Sequence, residues 1–351
     1  MNLFTMRAKT CISLSFLRVV FMLLIFLEHY PVTPLRVGGK AVCFFFILSG
    51  FVLSYGYGSR LSIEGLKYKN FLVPRLTKLY PLHWMLLPVG IWIGRGFLEQ
   101  TYYYLPANFL LLQSWIPTPN SYFSGNGISW FLSTTLFLYL IFPYLWKFCS
   151  RLTIRCNLFI YIILIVVRSV LEIAVSGEAK VDWLYINPAT RWMDFTVGII
   201  TFLIYRKLNE KNCAKRISWQ IFAFLSVMLT LSVFYITHNV KYPLVLFWIA
   251  YSCLICGSVM VENLYGDNFQ QRHMKFTHVI NELSSISFSF YLLHQIVILV
   301  LFNHKPLDLL DNNIVKFFII LIICTFLAYI SHHYLEKPVG QRLKFIITKK
   351  R

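Results

Sequence analysis

Apolar residues in this chain do not alternate with polar ones. They gather in runs long enough to cross a bilayer, separated by short polar and basic stretches. Ten such runs lie near 12–30, 41–57, 79–94, 129–147, 154–175, 191–206, 217–237, 243–261, 286–303 and 314–334. An isolated helix satisfies its own backbone hydrogen bonds in lipid, so each run predicts a helix. The whole then reads as an all-α polytopic membrane protein with about ten transmembrane helices. An eleventh stretch, PANFLLLQSWIP over 106–117, is too short to cross and is bounded by prolines; it predicts a short re-entrant or interfacial segment. No repeat, low-complexity linker or soluble insertion interrupts the series. Residues 1–351 are therefore expected to form a single integral membrane domain with no appended soluble domain.

Composition agrees with that pattern. Of 351 residues, 58% are apolar and only 13% charged, about half the share usual in soluble domains. The net charge of +19 invites a nucleic-acid reading, but the basic residues fall between apolar runs and so report topology first. With the N-terminus in the cytoplasm, the even-numbered connections carry the basic clusters. These are Arg60, Lys67, Lys69, Arg75 and Lys78; Lys147, Arg151 and Arg155; Arg206, Lys207, Lys211, Lys215 and Arg216; Arg272 and Lys275. The C-terminus adds Lys349, Lys350 and Arg351. Were 106–117 to cross, every later cluster would face outward, so ten spans with both termini cytoplasmic is the expected arrangement. A bacterial cytoplasmic membrane is the expected location. The first run is interrupted by Arg18 and followed by Glu28 and His29 without a small-residue cleavage site, which predicts an uncleaved span. Cys253 and Cys256 have C-x-x-C spacing but sit inside an apolar run without a second pair, so neither a metal site nor a disulfide framework is expected.

Against this apolar background the ionisable residues stand out. Arg18 and His29 are eleven residues apart on the first predicted helix, almost three full turns, so both lie on one face. They are separated by about 16 Å along the axis, roughly half the hydrocarbon thickness. Separately, Arg18 reads as a snorkelling arginine and His29 as an interfacial residue. Their shared face weighs toward a joint role and leaves both readings open. Arg168 with Glu172 and Arg191 with Asp194 have helical spacing for ion pairs. Tyr291 and His294 share a face, fit for lining a cavity or for interhelical hydrogen bonds. His83 beside Trp84 reads as interfacial, and Glu336 before Lys337 and Pro338 reads as a helix end. His332 and His333 point about 100° apart and make a poor metal pair. The stretch 114–130 offers Trp115 and Trp130 among amides and aromatic rings. That mixture suits either a sugar acceptor or an interfacial aromatic belt.

The order of these motifs resembles the integral membrane acyltransferases of the acyltransferase-3 family. Arg18 and His29 match its basic residue, ten-residue spacing and histidine. FFILSGF (45–51) matches its second-span pattern, with Ser49 and Gly50 permitting close helix approach. Arg75 and Lys78 before Leu79, Tyr80 and Pro81 match its basic loop. NFLLLQSWIP (108–117), Arg191 with Phe195 and Gly198, SFSFYLLHQ (287–295) and LEKP (335–338) resemble later motifs in the family's order. Two positions depart: Thr135 stands where a glutamate is usual, and Lys78 where arginine is common.

The resemblance implies an O-acyltransferase that moves an acyl group from cytosolic acyl-CoA, most often acetyl-CoA, to a hydroxyl of a cell-surface or lipid-linked glycan. It implies His29 as base or acceptor-orienting residue, with Arg18 as its catalytic companion and donor anchor. Arg75 and Lys78 would hold the CoA phosphates, and Trp115, Trp130, Arg191, Tyr291 and His294 would line the cavity. No permanently bound cofactor, metal or nucleic acid is expected; acyl-CoA is a substrate. The rival reading is an exporter of a lipid-linked sugar, since intramembrane Arg and His suit transport too. Transporters often show paired broken helices in related halves, and no such pairing is evident here.

Overall fold

The computed structural model describes residues 11–33, 35–63, 68–93, 101–210, 216–240, 245–303 and 312–349. Lys67, Lys211, Lys215, Lys350 and Arg351 of the basic clusters lie outside these. The described chain is helical, with no strand. In order come α1 (Ile12–His29), α2 (Gly38–Ile63), α3 (Tyr68–Ile93), the short α4 (Leu105–Phe109) and α5 (Pro119–Tyr122), α6 (Trp130–Arg151) and α7 (Ile154–Ala174). Then follow α8 (Pro188–Glu210), α9 (Arg216–Ile236), α10 (Leu246–Arg272), α11 (Met274–Asn303), α12 (Asn313–Ile330) and α13 (Lys337–Lys349). The ten predicted runs fall on the ten long helices α1–α3 and α6–α12.

Eight of these helices are long and apolar enough to cross a membrane; α3 and α8 are long but more polar. For α8 the reason is position. It packs against α2, α6, α7 and α10 at the centre of the bundle, and Arg191, Asp194, Thr196 and Thr201 on it are buried in protein. A helix shielded by neighbours does not need an apolar surface all round. Its contact with α2 is close because both partners present glycine: a Cβ on Gly50 would lie 2.1 Å from the Phe195 carbonyl, and one on Gly198 2.0 Å from the Ile47 carbonyl. Small residues let helix backbones meet this way.

Three expectations are corrected. Helix α3 begins at Tyr68, eleven residues before the predicted apolar run, so Arg75 and Lys78 lie within a helix rather than in a connection. Glu336 does not end a helix. The chain widens into a π-helical turn over Ser331–Glu336 and continues directly into α13, with Pro338 in its first turn. His83 is buried rather than interfacial: its Nε2–H donates to the Asn108 carbonyl at 2.8 Å. That bond, with Trp84 Nε1–H donating to the Phe109 carbonyl at 3.0 Å, ties the 106–117 segment to the side of α3. The segment itself is a hook of α4 and a 3-10 turn (Gln113–Trp115), and it turns at Leu111 with φ +56°.

Helices α1 and α11 form the framework of the site. Arg18 meets Ser284 at one end of their contact and His29 meets His294 at the other, so the two helices run in the same direction.

Candidate active site

Two cavities open into the bundle along the α1–α11 contact. The first, about 170 Å³, is walled by Arg18, Met22, Ile25, Lys78, Thr135, Tyr139, Ser287 and Tyr291 together with aromatic and aliphatic side chains. The second, about 520 Å³, is walled by Ile25, Glu28, His29, Tyr122, Phe123, Trp130, Glu178, Tyr185, Tyr291 and Gln295, among others. Ile25 and Tyr291 belong to both walls. Helical spacing explains the arrangement. Arg18, Met22, Ile25 and His29 form one stripe of α1, Ser284, Ser287, Tyr291 and Gln295 a second stripe on α11, and Phe131, Thr135 and Tyr139 a third on α6.

In the smaller cavity Arg18 is half-buried and donates from Nη1 to Ser284 Oγ at 3.0 Å. Lys78 is exposed to the cavity, with Nζ over the Phe288 ring at 5.5 Å. Two cations thus share a small, largely apolar chamber, an arrangement suited to an anionic or strongly dipolar ligand. Arg75 stands apart. Its guanidinium lies over Tyr57 and Phe71, 4.0 and 4.4 Å from their centroids, and donates to the Phe71 carbonyl at 2.9 Å. It forms no part of either cavity wall. Thr135, where the family resemblance leads one to expect a carboxylate, is in the wall, and its Oγ1 is buried without a hydrogen-bond partner.

In the larger cavity His29 Nδ1 is 2.9 Å from the Ile25 carbonyl oxygen. A carbonyl only accepts, so Nδ1 carries a proton; when the ring is neutral its lone pair lies on Nε2. His294 lies edge-on to it with ring centroids 5.0 Å apart. His294 Nδ1–H donates to the Tyr291 carbonyl at 2.7 Å, and its buried Nε2 has no hydrogen-bond partner. Tyr291 donates its hydroxyl to the Ile128 carbonyl at 3.0 Å. Trp130 is buried in the wall with its ring 4.9 Å from that of Tyr185. The Glu28 carboxylate beside His29 accepts from Gly38 N–H.

The sequence-predicted residues therefore divide. Arg18, His29, Lys78, Trp130 and Tyr291 are cavity residues, and His294 stands directly behind His29. Arg191 is fully buried behind Tyr185: it pairs with Asp194 at 2.7 Å and donates from Nε to the Tyr185 carbonyl at 2.7 Å, bracing a wall residue without reaching the cavity. Trp115 packs on Phe137 outside both walls. Arg168 and Glu172 pair at 2.9 Å, as their spacing predicts. His332 and His333 face different carboxylates, Glu336 and Glu282, each at 3.3 Å. Sequence reasoning missed Ile25, Glu28, Tyr139, Glu178, Tyr185 and Gln295 as wall residues. Glu28 and Ile25 were open to discovery, since they adjoin or share the Arg18–His29 face; the others lie on elements whose inward face only packing reveals.

The comparisons with known proteins identify the family. A family model described as an acyltransferase domain matches residues 12–333. The chain is 27% identical over 283 residues, covering 74% of this chain and 68% of the relative, to acyltransferase MdmB of Streptomyces mycarofaciens. No solved structure matches the chain. An acyltransferase match running from the first helix into the π-helical turn, over a helical bundle of membrane-spanning character, places this chain in the acyltransferase-3 family of membrane acyltransferases.

Proposed function

We propose that the chain is an O-acyltransferase that moves an acyl group, acetyl foremost, from cytosolic acyl-CoA to a hydroxyl of a cell-surface or lipid-linked glycan. The observation that carries this reading is the division of one helix face between two cavities: Arg18 in the smaller, His29 in the larger, with Ile25 and Tyr291 common to both. The smaller cavity faces the cytosol in this reading. At about 170 Å³ it takes the thioester end of a pantetheine arm and leaves the nucleotide at its mouth, near Lys78 and the more peripheral Arg75. The larger cavity, with its rings and carboxylates, receives the acceptor.

The chemistry follows from the tautomer. His29 Nε2 takes the proton of the acceptor hydroxyl as its oxygen attacks the thioester carbonyl carbon. The new C–O bond forms, the C–S bond breaks, and the CoA thiolate leaves on the Arg18 side. The imidazolium then returns its proton to the departing thiolate. Arg18 offers positive charge to the oxyanion and thiolate as they develop. No metal is required, because a thioester is already an activated acyl donor.

The test is CoA release by the purified protein given acetyl-CoA and candidate glycans, with mass spectrometry of surface glycans from cells with and without the gene. His29→Ala is expected to lower turnover by about 10²- to 10⁴-fold while leaving the protein inserted and folded. Normal acylation by that variant sinks the assignment of His29. Glycan movement across the membrane without CoA release by the wild type favours the transport reading instead.

A further inference from the structure

Among the described residues, the smaller and larger cavities have Ile25 and Tyr291 in common. Both side chains are held in place. Ile25 is 2% exposed on α1, where a β-branched residue has one strongly preferred rotamer. Tyr291 is 9% exposed on α11, anchored by its hydroxyl to the Ile128 carbonyl at 3.0 Å and packed against the Phe131 ring at 5.1 Å. Moving Tyr291 aside breaks that hydrogen bond inside the bundle, which opposes opening.

We infer that Ile25 and Tyr291 form a fixed neck that selects the acyl group by its cross-section: unbranched acyl chains pass, and acyl groups branched beside the carbonyl do not. This rests on the acyl-CoA reading above and adds to it which donors are accepted. A linear chain is no thicker than the unbranched cysteamine end of the pantetheine arm that follows it, so it can enter the passage tail first. Branching at the α-carbon widens the part of the group that must pass the neck before the carbonyl can meet the acceptor. Close-packed walls do not yield to an extra methyl group without displacement of side chains. Length is a weaker criterion, because beyond the neck the chain enters the larger cavity.

The experiment is equilibrium binding to the purified protein in nanodiscs, using CoA, acetyl-CoA, n-butyryl-CoA, isobutyryl-CoA and pivaloyl-CoA. Acetyl-CoA and n-butyryl-CoA are expected to bind within about threefold of each other, and pivaloyl-CoA at least about tenfold more weakly than acetyl-CoA, with isobutyryl-CoA between. Ile25→Ala is expected to close most of the gap between pivaloyl and acetyl donors, and Ile25→Val part of it. CoA itself, which has no acyl group at the neck, reports folding of each variant; Ile25→Val carries the test if Ile25→Ala loses CoA. Equal binding of pivaloyl-CoA and acetyl-CoA by the wild type overturns the neck, as does a gap unchanged in the Ile25 variants. Failure of the wild type to bind CoA at all overturns the acyl-CoA reading, and the neck with it.

Discussion

The carbonyl of Ile25 accepts a hydrogen bond from the same imidazole that the Ile25 side chain helps to separate from Arg18. One residue thus orients the proposed base and bounds the chamber on its far side. The Arg18–His29 pair was legible because periodicity alone puts residues eleven apart on one face. Lys78 was legible as a charge but not as a cavity residue, since the sequence suggested a connection where α3 already runs. Arg191 and Trp115 fit a motif yet lie behind or beside the wall, because a motif fixes residue type and order but not which neighbour intervenes. At this scale Lys78 admits a sharp prediction. Lys78→Ala is expected to raise the KM for acetyl-CoA by about tenfold or more with a smaller effect on kcat, reflecting loss of a charged contact to the donor. Lys78→Arg is expected to retain most activity, as the charge persists. Unchanged KM in Lys78→Ala removes Lys78 from the donor site.

Helices were the most legible elements, and their limits the least. The apolar run of α3 starts well inside the helix, because its first turns are polar and carry Lys69 and Arg75. The wide turn at Ser331–Glu336 escapes sequence reading altogether; it is stabilised by contacts from outside its own segment, with Ser289 Oγ donating to Glu336 and His333 meeting Glu282. The α2–α8 contact tests the bundle's architecture directly. Gly50→Ala or Gly198→Ala would press a methyl group into a backbone carbonyl. Each is expected to cost roughly 1–3 kcal/mol of stability or more, read as a lower unfolding temperature in detergent. Gly56→Ala on the same helix α2 meets nothing within 4 Å and serves as control, expected to be neutral or slightly stabilising. Equal behaviour of Gly50→Ala and Gly56→Ala contradicts the close helix contact.

For the whole molecule, the sequence made the class of fold legible, and the basic clusters its expected orientation. It did not reveal the two cavities, which arise where stripes from α1, α6 and α11 converge across long separations in the chain. Orientation is open to a direct test. Gly177 adopts φ +60° in a turn with open space around it, so an inserted epitope is expected to be tolerated there. In right-side-out membrane vesicles the epitope should bind antibody before permeabilisation; binding only afterwards reverses the proposed orientation and with it the side from which the donor arrives. The shared direction of α1 and α11 carries a separate consequence, one of parity. A chain that crosses a membrane repeatedly reverses direction at every crossing, so parallel neighbours must be an even number of crossings apart. Counting the ten long helices, α1 is first and α11 ninth, which satisfies the condition. The same count makes α10 eighth and therefore opposed to α1, as its pairs Ile12–Glu262 and Phe21–Tyr251 require. A crossing by the 106–117 hook would make α11 tenth and turn it against α1, tearing Ser284 from Arg18 and His294 from His29. The hook must therefore return to the side it came from, and the meeting of Arg18 with Ser284 and of His29 with His294 depends on its doing so.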